Sequence, residues 1–447
     1  MKSLRIFFSI LALLSSLLLF SQNNNHVLTF SGNGHQGFVN GPIDSAQYDK
    51  PYGICADGHG NFFIPEGGKD CIRKINTATG QVTTYAGSGI TGFRDGPADS
   101  AQFDTPNAVC VDDSGNVYVP DYWNQRIRKI SAGGMVTTVA GSGMAGYLDG
   151  PALSARFNNP RSICRDATGN LYVADSWNHR VRKISPSGEV STWAGGGTDT
   201  VFLVNGGYID GPDTSARFNV PCSVSIDDLG NIYVADAYNH RIRKIDPDRI
   251  VSTLAGSGPT GSDSGGYANG YFHSSRFKIP LNVLVFDSNT ILVSDNNRIR
   301  KLNLRDTLVN TFAGSCEIGF TTGVDTAVKL KSPGGLTKSG GLAYFIDGGN
   351  YAIRVVIPDS LSGIPPSICP AVINIYPNPA SGKIRVNITA GSYPFRIRFT
   401  DIIGRVMLTQ DVSSAGQDID VTHLLPGLYI MQVWQGTPVS VVRFIKI

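Results

Sequence analysis

VLTFSG (27–32), VTTYAG (82–87), VTTVAG (136–141), VSTWAG (190–195), VSTLAG (251–256) and VNTFAG (309–314) are six copies of one segment, recurring every 54 to 61 residues. A fixed period of this size marks a repeat architecture, so the unit between copies decides the fold. The third interval shows the unit whole: DGPALSARFNNP (149–160), RSICRDATGN (161–170) and LYVADSWNHRVRKIS (171–185). Its strand-like pieces are Ser162–Arg165, Leu171–Ala174, Val181–Ile184 and Val190–Ala194. They are rich in β-branched and aromatic residues and are parted by Gly, Asp, Asn or Pro, as strands joined by tight turns are. No ten-residue stretch of the unit carries an apolar stripe at helical period. Short helical turns fit only the PALSARF-type segments, where Ser and Asp can cap.

Four-stranded units repeated in this way predict an all-β fold with a β-propeller at its centre. A lone four-stranded sheet leaves two apolar faces wet; stacking on neighbours covers them, and closing the ring removes the ends. An open β-solenoid would need shorter rungs and end caps. The segment 27–32 is a lone fourth strand, and the last unit stops after Tyr351–Ile357, where AIRVVI repeats the RIRKI piece. Six blades result if the N-terminal strand completes the final one, so the propeller is expected over 27–357.

Met1-Lys2-Ser3-Leu4-Arg5 and the apolar run Ile6 to Phe20 have the charged, apolar and polar zones of a secretory signal peptide, expected over residues 1–21 with cleavage near Ser21. The run is shorter than a membrane span of about 20 residues, so no span is expected after signal removal. A formal net charge of +3 and the lack of a Lys/Arg block argue against a nucleic-acid or anionic-lipid partner. The seven cysteines are odd in number, so a complete internal disulfide set is excluded. Cys55, Cys110 and Cys164 recur in the apolar pieces GIC, AVC and SIC and read as small buried hydrophobes, since no CxxC pair accompanies them.

Two resemblances follow from quoted residues. Asn170-Leu171-Tyr172-Val173-Ala174-Asp175 with Asn178-His179-Arg180-Val181-Arg182-Lys183-Ile184 resembles the NHL repeat, with copies at 116–130 and 231–245 and weaker ones at 61–75 and 290–302. That resemblance implies a six-bladed propeller; it does not select an activity, because such propellers bind proteins, RNA or glycans and a few are lyases or hydrolases. After a proline-bearing linker (358–370), Tyr376-Pro377-Asn378-Pro379, Asp401-Ile402-Ile403-Gly404-Arg405, Leu425-Pro426-Gly427-Leu428-Tyr429 and Arg443-Phe444-Ile445-Lys446-Ile447 resemble the C-terminal sorting domain of the type IX secretion system of Bacteroidetes. This second resemblance implies a small C-terminal β-sandwich over 371–447, a partner in the type IX machinery, and a protein secreted or held at the outer-membrane surface.

The Asp-x-x-Asn-x-Arg element (Asp121/Asn124/Arg126, Asp175/Asn178/Arg180, Asp236/Asn239/Arg241) falls where second strands turn into third strands. Asp and Asn suit such turns, and the arginine is expected to answer the aspartate. Its repetition in three successive units argues for architecture. His179 and His240 lie in adjacent units, too far apart to share a zinc ion, and no cofactor is expected. Asp-Gly-Pro (95–97, 149–151, 210–212) and Asn40-Gly41-Pro42 mark inter-unit connections, whose Phe103, Phe157, Phe218 and Phe277 are expected to plug the seams; a calcium site at Asp95 and its counterparts has too few oxygens per loop.

Two candidate sites remain. The axial mouth, just after each leading proline, would hold Tyr52, Asn107, Arg161, Cys222, Leu281 and Gly334, then Gly53, Ala108, Ser162, Ser223, Asn282 and Gly335. No carboxylate stands there, so Asn107, Arg161 and Asn282 make a polar pocket without a general base, against a lyase or hydrolase with an axial metal. The rim would hold Tyr122, Trp123, Asn124, Trp177, Asn178, Tyr238 and Asn239, aromatics beside amides as in sugar or peptide recognition. The sequence therefore favours a monomeric ligand-binding or adhesion module for a glycan or protein, with a propeller lyase or hydrolase as the alternative.

Overall fold

The computed structural model describes residues 25–196, 206–261, 264–358, 373–376, 380, 382–388, 394–400, 406–414, 416–424, 427–435 and 437–446. The expected signal segment and nearly all of the linker lie outside the described residues. Among those described, no helix is long and apolar enough to cross a membrane.

Residues 25–358 build six sheets of five strands each. In the third blade the inner strand Pro160–Arg165 is followed outward by Leu171–Asp175, Arg180–Ile184 and Glu189–Ala194. The fifth strand is the dipeptide Gly150–Pro151, which pairs Gly150 with Val190 and Pro151 with Glu189. The four-stranded unit read from the sequence is thus one strand short, because each connection first lies along the outer edge of the blade it is about to build. Proline is tolerated there, since an outermost strand needs no N–H on its solvent side.

The ring closes as the strand count predicts. Asn25–Ser31 pairs antiparallel with Ala352–Pro358 in the register Val27↔Val356, Leu28↔Val355 and Thr29↔Arg354, making the N-terminal strand the fourth of the last blade. Each seam between neighbouring blades holds its own apolar cluster. At the closing seam Phe30, Ile353 and Ile357 of the last blade meet Tyr48, Phe62 and Ile75 of the first. Phe103, Phe157, Phe218 and Phe277 lie fully buried in successive seams. Every blade buries both faces in this way, and removing this apolar surface from water is the main force holding the ring.

The inner strands are also stitched directly to one another. Ser162 Oγ accepts the N–H of Val224, Ser223 Oγ that of Val283, Ser225 Oγ that of Val285, and Thr337 Oγ1 that of Ala56. Each inner strand has one unpaired edge toward the axis, and a short polar side chain from the preceding blade supplies the missing acceptors. The Cys55 thiol meets the N–H of Val111 in the same way, so this cysteine is a soft acceptor as well as an apolar group. Burial pushes Cys55 up to about 11. The described cysteines are all free; Cys369 lies outside the described residues.

The C-terminal residues form a three-stranded and a four-stranded sheet. Ile384, Val386 and Ile419 of the first share one core with Phe395, Ile397, Phe399, Met431 and Val433 of the second.

Candidate functional site

Six fully buried arginines, one per blade, frame the face that carries the candidate sites: Arg73, Arg128, Arg182, Arg243, Arg300 and Arg354. A buried guanidinium is tolerable only when paired and hydrogen-bonded. Arg128 donates to Asp121 Oδ2 at 2.7 Å, to the carbonyls of Gln102 and Arg94 at 3.0 and 2.8 Å, and to Asp95. Its plane lies between Phe93 and Phe103, at 4.8 and 5.0 Å from their centroids. Arg182 repeats the arrangement with Asp175, Asp149, Tyr147 and Phe157. Arg243 does so with Asp236, Asp210, Tyr208 and Phe218.

This corrects the sequence reading, in which Arg126, Arg180 and Arg241 answer the aspartates. Arginines two apart on a strand share a face, and the one deeper in the blade takes the carboxylate. Arg126 instead reaches the carbonyls of Asn124 and Ser142 and lies 3.7 Å over Phe93, while Arg180 and Arg241 lie over Tyr147 and Tyr208. Asp95, Asp149 and Asp210 are likewise committed to the fold, each binding an arginine and the backbone N–H of a threonine.

Each leading proline pairs with the last residue of its blade's second strand, as Pro160 does with Asp175 and Pro221 with Asp236. The mouth and the turns between second and third strands therefore share one face. Around it the residue before each leading proline is left-handed: Lys50, Thr105, Asn159, Val220, Ile279 and Ser332 have φ between 50° and 56°. For β-branched residues this backbone is strained. The preceding blade holds five of the six in place: Asp70, Gln125, His179, His240 and Asn297 accept the N–H of Thr105, Asn159, Val220, Ile279 and Ser332. His179 and His240 are thus acceptors in separate seams. Burial lowers His179 to about 4, with Arg180 adding to the effect.

At the centre lies a cavity of about 370 Å³ lined from all six blades. Asn107, Arg161 and Asn282 all line it, with Tyr52, Cys222, Leu281 and Gly334. Ser223 is buried behind it in the inner-strand stitching. Sequence reasoning missed Lys50, Ser332 and Tyr351, which also line the mouth. The signal for the first two was the position before the leading proline, where the strained backbone turns into the cavity. No carboxylate or imidazole is among the lining residues, and among the described residues no cluster of His, Cys, Asp and Glu could hold a metal ion.

On the rim, Trp123 is 56% exposed and stands edge-on to Tyr122 at 5.0 Å between ring centroids. Trp177 Nε1 donates to Tyr122 Oη at 3.1 Å, so the turns of the second and third blades present one aromatic group. Tyr238 packs instead beside Val220, Cys222 and Ala237. The amide nitrogens of Asn124, Asn178 and Asn239 donate to Asp121, Asp175 and Asp236 and to the carbonyls of Gly92, Gly146 and Gly207. Those amides fasten the turns to the incoming connections.

Comparison with known proteins agrees with this fold. The NHL repeat matches residues 103–130, 157–184 and 218–245, and the secretion system C-terminal sorting domain matches 374–447. The chain is 26% identical over 292 residues to Protein SUPPRESSOR OF QUENCHING 1, chloroplastic, of Arabidopsis thaliana, covering 62% of this chain and 27% of that protein. It is 26% identical over 326 residues to NHL repeat-containing protein 2 of Homo sapiens, covering 64% and 43%. The chain thus spans less than half the length of these relatives. Among solved structures, a structural genomics protein of unknown function from Bacteroides thetaiotaomicron VPI-5482 superposes with a TM-score of 0.56 at 19% identity, covering 75% of this chain and 76% of that one. An auxiliary nutrient binding protein from Bacteroides ovatus ATCC 8483 gives 0.55 at 14%, covering 75% and 77%. At such identities the likeness is one of fold. The chain is a six-bladed propeller of NHL repeats that carries a secretion system C-terminal sorting domain.

Proposed function

We propose that the protein is an exported ligand-binding module, secreted or held at the cell surface, that recognises a glycan or protein through the face carrying the mouth and the rim. The observation that carries this reading is the departure from symmetry on that face. Tyr122, Trp123 and Trp177 gather on two adjacent blades, on the face that also opens to a cavity lined in part by amides and cations. Exposed aromatics with polar edges are suited to sugar rings and peptide side chains. The sorting domain supports passage through the type IX machinery, and a solved propeller of like fold is described as a nutrient binding protein. A lyase or hydrolase reading has no support from the mouth, whose lining residues include no carboxylate or imidazole to act as general base.

A glycan array probed with the purified full chain tests this. A ligand found there should bind at least about 10-fold more weakly to Trp123→Ala, since buried tryptophans anchor recognition with about 2 kcal/mol or more. Unchanged affinity in both Trp123→Ala and Trp177→Ala would remove the rim from the proposal.

A further inference from the structure

We propose that the axial mouth is a site for a monosaccharide-sized oxyanion, with Arg161 as its counter-ion; this deepens the binding reading and rests on it. Three observations converge. The first is charge. Lys50 and Arg161 are the charged residues of the lining, no carboxylate faces them there, and neither makes an ion pair among the described residues. This sets Arg161 apart from the six arginines of the blades, every one of which is matched to a carboxylate. Its contact is the Cys222 sulfur, 3.1 Å from Nη1, a weak acceptor that leaves the positive charge unbalanced.

The second is position. The residue after the leading proline is Tyr52, Asn107, Arg161, Cys222, Leu281 or Gly334 in successive blades. Architecture repeats from blade to blade, and here the sequence does not. A lone guanidinium at the one place where all six blades meet has no structural duty that its five counterparts share.

The third is the sense of the hydrogen bonding. Asn282 Oδ1 accepts the N–H of Leu336 at 3.2 Å, which leaves the amide nitrogen to the cavity. Arg161, Lys50 and the Asn282 amide are then all donors, a set suited to an acceptor-only group such as a carboxylate or phosphate. Tyr52 and Tyr351 supply flat walls for the body of the ligand. At about 370 Å³ the cavity lies near the lower end of the usual small-molecule range of roughly 300–1,000 Å³.

Isothermal titration of the full chain with glucuronate, glucose 6-phosphate and glucose tests the site. At least one of the two acidic sugars should bind at least 10-fold more tightly than glucose, and the preferred one identifies the acidic group. Added salt should weaken that binding, and Arg161→Gln should weaken it 10-fold or more with an unchanged melting temperature. Lys50→Gln, on an exposed side chain, should weaken it several-fold. Binding of neither acid, equal binding of glucose, or full affinity in a folded Arg161→Gln overturns the proposal. A glycan captured through Trp123 by a protein whose mouth ignores both acids would leave the wider reading standing, whereas acid binding at Arg161 without any rim ligand would do the reverse.

Discussion

His179 Nδ1 accepts the backbone N–H of Val220 at 3.1 Å, tying the turn of the third blade to a residue held at φ 52° at the entrance of the fourth. The bond requires the neutral ring, because a protonated imidazole donates from both nitrogens. Burial brings His179 down from its ordinary 6.5 to about 4. In that window the unfolded chain takes up the proton and the folded chain does not, so the contribution is full above about pH 6.5 and is lost as the pH falls through about 4. The melting temperature should therefore drop more steeply from pH 6.5 to 4 in the wild type than in His179→Gln. Gln125 already plays this part in the second blade, accepting the N–H of Asn159. Equal slopes would show that the contact carries no acid sensitivity.

Arg128 and Asp121 are both fully buried, and removing one partner strands the other's charge. Arg128→Met should cost about 3–5 kcal/mol in urea unfolding. Arg128→Met with Asp121→Asn should recover part of that loss, since no fully buried charge is then left unpaired; Asp95, the other partner of Arg128, is partly exposed. Arg126→Met, two residues away and making carbonyl contacts at the blade edge, should cost roughly 1 kcal/mol. A similar loss at both arginines would contradict the assignment of Arg128 as the buried ion-pair partner.

Phe30 packs against Phe62 of the first blade and Tyr344 of the last, with ring centroids 5.0 and 4.9 Å apart. Phe30→Ala should destabilise by about 3–5 kcal/mol. Deleting 25–31 should do more, because Ala352–Pro358 then becomes an open strand edge. Such an edge templates association, and light scattering should report aggregation of the deletion at temperatures the full chain tolerates. A deletion that stays monodisperse and melts with the full chain would mean that the ring does not depend on its N-terminal strand.

The period and the number of blades were legible because they depend on local signals: VxTxAG-type copies, turn dipeptides and β-branched runs. The lone strand at 27–32 even told how the ring closes. What the sequence did not show was partner choice at range. Both Arg126 and Arg128 lie on the face of Asp121, and both stack on Phe93; Phe103, Asp95 and the carbonyls of Arg94 and Gln102 surround the deeper guanidinium alone. The fifth strand escaped notice because two residues are too few to carry a pattern. The mouth residues were placed by their offset from the leading proline. Lys50 and Ser332 were not, because a residue ahead of proline ordinarily reads as extended backbone, whereas here it turns left-handed into the cavity.

Gly335 sets how closely the last blade approaches the first at this mouth. A Cβ there would come within 2.6 Å of Gly53 Cα and 2.8 Å of Ile54 N, and its own N–H donates to the Tyr52 carbonyl at 2.8 Å. The obstructing atoms are backbone and cannot swing aside, so Gly335→Ala must part the two inner strands and stretch that hydrogen bond. Overpacking of this kind costs roughly 1–3 kcal/mol. Gly133→Ala is the control, since a Cβ there meets only Ser131 Oγ at 3.8 Å. Gly335→Ala should lower the melting temperature and weaken any ligand of the mouth together, because Tyr52 and Gly334 line the cavity on either side of the same contact. A variant with lowered stability and full affinity would place the ligand away from the seam between the first and last blades.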